Sequence, residues 1–190
     1  MKAFLNFLLK NVYEPQFVDS KFVDLAFDQT VKDVNFHFPD LTKTEIRSRI
    51  VNNNNELAIF LFRLGQEIHS AELHDLKPQI HWLLKQYCSC ELYFNNDVDD
   101  GFYIVHGEGS VLGSRNKIGK GFVMHQGCTI GHKKNGAGAG NVIGDNVTLY
   151  ANSSIIGELN IGNNVIIGAH VLITKDIPDN TVVTIKNITY

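Results

Sequence analysis

Cysteine, proline, methionine and tryptophan are all sparse: 190 residues carry three Cys, four Pro, two Met and one Trp. An odd number of cysteines cannot pair completely. Cys88 and Cys90 have one residue between them, not the two of common zinc and redox pairs. That predicts reduced thiols and a cytoplasmic location. No spacing of His, Cys and carboxylates suggests a catalytic metal. No apolar run reaches the roughly 18–20 residues of a membrane span. A formal net charge of -3 and a pI near 6.2 give no nucleic-acid footprint. The apolar stretch Met1 to Tyr13 lacks the basic start, long apolar core and cleavage site of a signal peptide, and reads as a first amphipathic helix. The length suits one domain, or one domain with a helical cap.

What the chain has in abundance is a beat of six. Ile143, Leu149, Ile155, Ile161, Ile167 and Ile173 are spaced six apart, and Leu112, Ile118, Met124 and Ile130 form an earlier run. Cys128, Val147, Ser153, Val165 and Val171 sit four places after members of these runs. Neither helices nor ordinary strands recur at this spacing. A short period with two inward positions per repeat marks a β-solenoid whose coils must stack to bury a core.

Residues 1–90 read differently. Leu57, Phe60, Leu61 and Leu64 fall at helical spacing, as do Leu76, Ile80, Leu83, Leu84 and Tyr87. Pro39-Asp40 reads as a break before a new helix, Asn52 to Asn55 as a polar separator, and Pro78 as a first-turn residue. From about Glu91 onward β-branched residues, Gly, Asn and Asp take over. The expected organisation is α+β: an α-helical domain over 1–90 and a β-helix domain over 91–190. Ile130 and Ile143 are thirteen apart, so seven extra residues within 132–140 must leave the solenoid as a protruding loop.

Four segments carry a resemblance: Gly101-Phe-Tyr-Ile-Val-His106-Gly107, His125-Gln-Gly-Cys-Thr-Ile-Gly131, Val142-Ile-Gly-Asp-Asn-Val147 and the stretch from Ile167 to Pro178. Over about 91–180 the chain resembles the hexapeptide-repeat acyltransferases, and among them the serine acetyltransferase-like branch and the polysaccharide O-acetyltransferases. The resemblance implies a left-handed parallel β-helix, a homotrimer, and acetyl-CoA held in a groove between subunits. Whether the helical domain pairs two trimers stays open.

By the same resemblance, His106 is the general base that takes the acceptor's hydroxyl proton. Imidazole titrates near neutral pH, so it can accept that proton and deliver it to the leaving thiolate. The family sets a carboxylate fifteen residues earlier, here Glu91 rather than the usual Asp. Counting back by six from Leu112 would bury His106, whereas counting forward from Leu92 through Val98 makes Ile104 inward and turns His106 out. The phases differ by two residues, so a bulge is expected near Gly107 and Gly109. A buried imidazole would need polar partners that an Ile/Val core lacks, which favours the outward reading. Gly131, Ala151 and Ala169 match positions lining the pantetheine arm, and Lys175 is a candidate for a CoA phosphate. His125, Gln126, His132 and Tyr103 are candidate acceptor contacts.

Two departures bear on the acceptor. Val105 replaces the Asp that precedes the catalytic histidine in serine acetyltransferases, and Gly140-Asn141-Val142 replaces a segment carrying a histidine. A zwitterion deprived of charged handles is disfavoured, because an unpaired desolvated charge is costly. A third departure is the tail from Thr184 to Tyr190 in place of the usual ending. The expected activity is therefore acetyl-CoA-dependent O-acetylation of a sugar or surface-polysaccharide hydroxyl, with Phe102 and Tyr103 available to stack on a ring. The alternatives are serine O-acetyltransferase, sugar N-acetyltransferase and a non-catalytic trimeric scaffold.

Overall fold

A computed structural model describes residues 1–134 and 138–185. Five α-helices come first: α1 (Lys2–Leu9), α2 (Ser20–His37), α3 (Lys43–Asn52), α4 (Asn54–Ser70) and, after one 3-10 turn, α5 (Lys77–Cys88). Fourteen strands of two or three residues follow, β1 to β14 in chain order. They stack as three parallel faces of a solenoid. The first face is β1 (Glu91–Leu92), β4 (Val111–Leu112), β7 (Thr129–Gly131), β10 (Ser154–Ile156) and β13 (Leu172–Ile173). The second is β2 (Asp97–Val98), β5 (Lys117–Ile118), β8 (Val142–Ile143) and β11 (Asn160–Ile161). The third is β3 (Tyr103–Val105), β6 (Val123–His125), β9 (Thr148–Leu149), β12 (Ile166–Ile167) and β14 (Val182–Val183).

Every member of the two six-residue runs is buried, and so are Cys128, Val147, Ser153, Val165 and Val171. Strands this short exist only because each finds a partner one coil away and an apolar residue to put inside. Polar residues are also stacked inward. Asn116 donates from its N and Nδ2 to Asn96 Oδ1 at 2.8 and 2.9 Å, and Asn141 donates in the same way to Asn116 Oδ1 at 3.0 and 2.9 Å. All three are buried, so each amide satisfies backbone that would otherwise be orphaned at a corner.

Sequence cues at helix ends hold locally. Thr42 and Glu45 form a reciprocal capping box at the start of α3, Pro78 lies in the first turn of α5, and Asn53 alone separates α3 from α4. α4 is apolar nearly all round, with Leu57 to Leu64 buried without a break, because α2 and α5 pack on one side and the first coil on the other. One buried ion pair fastens helices to solenoid. Arg63 grips Asp33 bidentately (2.7 and 2.8 Å) and donates to the Val98 and Asp99 carbonyls. Asp33 Oδ1 in turn accepts the N–H groups of Gly101 and Phe102 at 2.9 and 3.2 Å. That pair holds Gly101 and Phe102, the two residues that lead into β3, which begins three residues before His106.

Candidate functional site

Three corners join the three faces. At the corner leading from the third face to the first, backbone N–H groups climb a regular ladder. Gly109 donates to Ser89, Gly127 to Glu108, Asn152 to Gln126 and His170 to Ala151, all at 2.8–2.9 Å. Ser89, Gly109, Gly127, Asn152 and His170 all have positive φ, the conformation such a turn demands. His106 lies at the foot of this ladder with φ +52 and an exposed ring.

The bulge expected there is present. Ile104 (1% exposed) and Leu112 (0%) both face inward, eight residues apart rather than six. The two extra residues lift His106 out of phase with the core. Gly107 leaves no room for a side chain, since a Cβ would sit 2.7 Å from Ile104 Cγ2. The turn is braced from the helical half as well: Gly107 N donates to Asn55 Oδ1 (3.4 Å) and Asn54 Nδ2 to Glu108 Oε1 (2.9 Å). The polar run that reads as a mere separator therefore seats the N-terminal end of α4 on the His106 turn. Its only sequence signal was four consecutive asparagines.

His125 is one coil above, its neighbour Met124 inward and Val105 paired with it in register. Its ring stacks on Tyr150 at 4.8 Å, a partner not foreseen. Burial, and then the nearby His106, hold the His125 imidazole below its ordinary pKa, so it stays neutral at neutral pH. Gln126, Ala151 and Ala169 share the same corner by the ladder just described. Gly131 and His132 do not; Gly131 ends β7 and His132 opens the next corner, between the first and second faces, as does Lys175, which is exposed in the turn after β13. His132 is tied down there by Nε2 to the Ser114 carbonyl at 2.7 Å.

Three expectations need correction. The Glu91 carboxylate is drawn to Lys85 Nζ at 3.1 Å, on the face that also carries His81, and among the described contacts none joins it to His106. Tyr103 is 8% exposed, with its hydroxyl donating to Glu56 Oε1 (3.0 Å) and accepting from Arg49 (3.1 Å), so its ring is committed to Phe38 and His37. Burial, then the Glu56 charge, push that phenol up to about 12. Phe102 is fully buried between Phe62 and Phe122, so neither aromatic is a platform for a sugar.

Cys88, Cys90 and Cys128 are free and buried. Burial raises the first two thiols well above the ordinary value, Cys90 to about 12, which makes them inert. No group of three or more His, Cys, Asp or Glu suited to a metal occurs among the described residues, and no helix there is long and apolar enough to cross a membrane. Part of the protruding loop (135–137) and the end of the tail (186–190) lie outside the described residues.

Comparison with known proteins agrees with the repeat. A family model described as bacterial transferase hexapeptide (six repeats) matches residues 142–175. A serine acetyltransferase of Helicobacter pylori is 25% identical over 122 residues, covering 64% of this chain and 71% of that protein. One from Staphylococcus epidermidis is 28% identical over 127 residues, covering 66% of this chain and 60% of its own length. The crystal structure of Neisseria gonorrhoeae serine acetyltransferase superposes with a TM-score of 0.72 at 20% identity, covering 96% of this chain and 66% of that one. Isoform 3 from Entamoeba histolytica, solved with cysteine, gives 0.73 at 20% identity over 88% and 60%. The chain thus spans less than two thirds of several of these relatives. It carries the hexapeptide repeat of the bacterial transferases and, in sequence and in fold, resembles the serine acetyltransferase-like branch of the hexapeptide-repeat acyltransferases.

Proposed function

We propose that this chain is an acetyl-CoA-dependent O-acetyltransferase whose acceptor is L-serine, with His106 as general base. The observation that carries the reading is His106 itself: an exposed imidazole, lifted from the core phase by a braced bulge, at a corner lined with small residues. His106 removes the proton from the serine hydroxyl as its oxygen attacks the thioester carbonyl. The tetrahedral intermediate collapses with cleavage of the C–S bond, and the imidazolium returns the proton to the departing thiolate.

The candidate residues divide between two corners of the prism. His106, His125, Gln126, Ala151 and Ala169 share one; Gly131, His132 and Lys175 share another. A single chain leaves the two sets apart, which supports a homotrimer in which one subunit's first corner meets its neighbour's second. Exposed apolar side chains on the strands, Val142, Ile166, Leu172 and Val182, give such a neighbour something to cover. Extended pantetheine amides would lie along the stacked corners of Ala151 and Ala169, with Lys175 near a phosphate. His132, committed to Ser114, belongs to the loop base rather than to the acceptor.

The carbohydrate acceptor expected from Val105 is displaced. Serine acetyltransferases recur among the relatives, and the two aromatics meant for a sugar ring are buried. The test is direct: the full chain is incubated with acetyl-CoA and L-serine, and free thiol is followed over time. Serine-dependent release supports the reading. Release that appears only with hydroxylated sugars, or with no acceptor offered, sinks it.

A further inference from the structure

The serine reading leaves a question of charge. Serine at neutral pH carries an ammonium beside its hydroxyl, and Val105 offers that ammonium nothing. We infer that Glu108 is the cation subsite of the acceptor pocket, held in place by Asn54; the inference rests on the serine reading.

Glu108 is exposed, two residues after His106 in the same bulged turn, and it is the only carboxylate in that turn. Its Oε1 accepts Asn54 Nδ2 at 2.9 Å, and its backbone carbonyl accepts Gly127 N, so chain and side chain are both fixed. The contrast with neighbouring carboxylates is informative. Asp33 is matched by Arg63, Glu56 by Arg49 and Glu91 by Lys85. Glu108 is instead clamped by a neutral amide, which orients a carboxylate without cancelling its charge. That charge is felt nearby, adding to burial in raising the Cys88 and Cys90 thiols. A carboxylate positioned in the same turn as a general base, with no countercharge among the described residues, suits a substrate that brings its own cation. The two residues added by the bulge make this possible, since an ordinary six-residue corner would have no room for Glu108 between His106 and the next inward position. In the loaded site the ammonium neutralises Glu108, so the side chain acts on binding more than on the chemical step.

Steady-state kinetics of the full chain test this with Glu108→Gln, Asn54→Ala and the unaltered protein, using L-serine and its deaminated analogue 3-hydroxypropionate. In Glu108→Gln, KM for L-serine should rise about tenfold or more while kcat stays within about threefold and KM for acetyl-CoA is unchanged. Asn54→Ala should give a smaller rise of the same kind. The unaltered protein should prefer serine over the analogue, and Glu108→Gln should erase most of that preference. Unchanged KM for serine in Glu108→Gln, or a loss confined to kcat, overturns the subsite while the serine reading stands. No serine-dependent turnover by the unaltered protein overturns the reading, and the subsite with it.

Discussion

Two insertions break the six-residue beat, and they break it differently. Between Ile104 and Leu112 two residues are added; between Ile130 and Ile143 seven are. The smaller departure is braced on both sides, by Asn54 and Asn55 of α4 and by the Ser89 carbonyl that accepts Gly109 N. The larger one is tied at its base. His132 reaches back to Ser114, the Arg115 side chain donates to the Gly138 carbonyl at 2.9 Å, and Asn141 rejoins the buried asparagine ladder. A short, over-determined bulge aims a side chain; a long insertion anchored at its ends offers a surface.

The largest effect should come from the braced turn. His106→Ala should lower kcat/KM by roughly 10²–10⁴-fold, the usual worth of a positioned base. Acetyl-CoA binding, read by calorimetry, should persist. Full activity in that variant would strip the bulge of its catalytic meaning.

Bracing reaches further back, to the ion pair that sets the start of β3. Asp33→Ala leaves Arg63 buried and uncompensated, and should destabilise the fold by about 3–5 kcal/mol in chemical denaturation. A loss under 1 kcal/mol would show that the helices hold the first coil by apolar packing alone.

Glycine replacements probe the two departures side by side. Gly140 has φ +89, and an added Cβ would lie 2.0 Å from the Arg115 carbonyl oxygen, a backbone atom that cannot step aside. Gly109 has φ +74, but a Cβ there meets nothing closer than 3.8 Å. Gly140→Ala should cost about 3 kcal/mol and Gly109→Ala about 1, by thermal denaturation. The reverse order would mean that the loop base yields more readily than the bulge.

Glu91→Gln should reduce kcat less than about tenfold, because Lys85 and not His106 holds that carboxylate. A loss as large as that of His106→Ala would show that Glu91 leaves Lys85 during turnover.

The smallest effect is on pH. Burial, as the main cause, lowers the imidazole pKa of His81 and His125 in the folded protein. The unfolded chain then binds protons more readily, so stability present above the ordinary imidazole value of about 6.5 is lost as the pH falls below it. Melting temperatures measured across that range should drop on the acid side, and His81→Phe should flatten the drop.

The repeat is so direct a consequence of coil stacking that period alone announced the solenoid, the inward residues and the position of the insertion. Helix starts were equally local matters, since a capping box or a first-turn proline acts within one turn of chain. Even the bulge was implied, because two phases counted from either side could not meet without two spare residues. What no period could tell was where side chains from distant segments would go. Glu91 turned to Lys85, Tyr103 to Glu56 and Arg49, and Asn54 and Asn55 at the start of α4 came to rest against the His106 turn. Those outcomes depend on contacts between groups 47 to 54 residues apart in sequence, or on the choice between two partners of similar chemistry. Packing of the helical half against the first coil made that choice, since only there do desolvation and geometry decide which charge meets which.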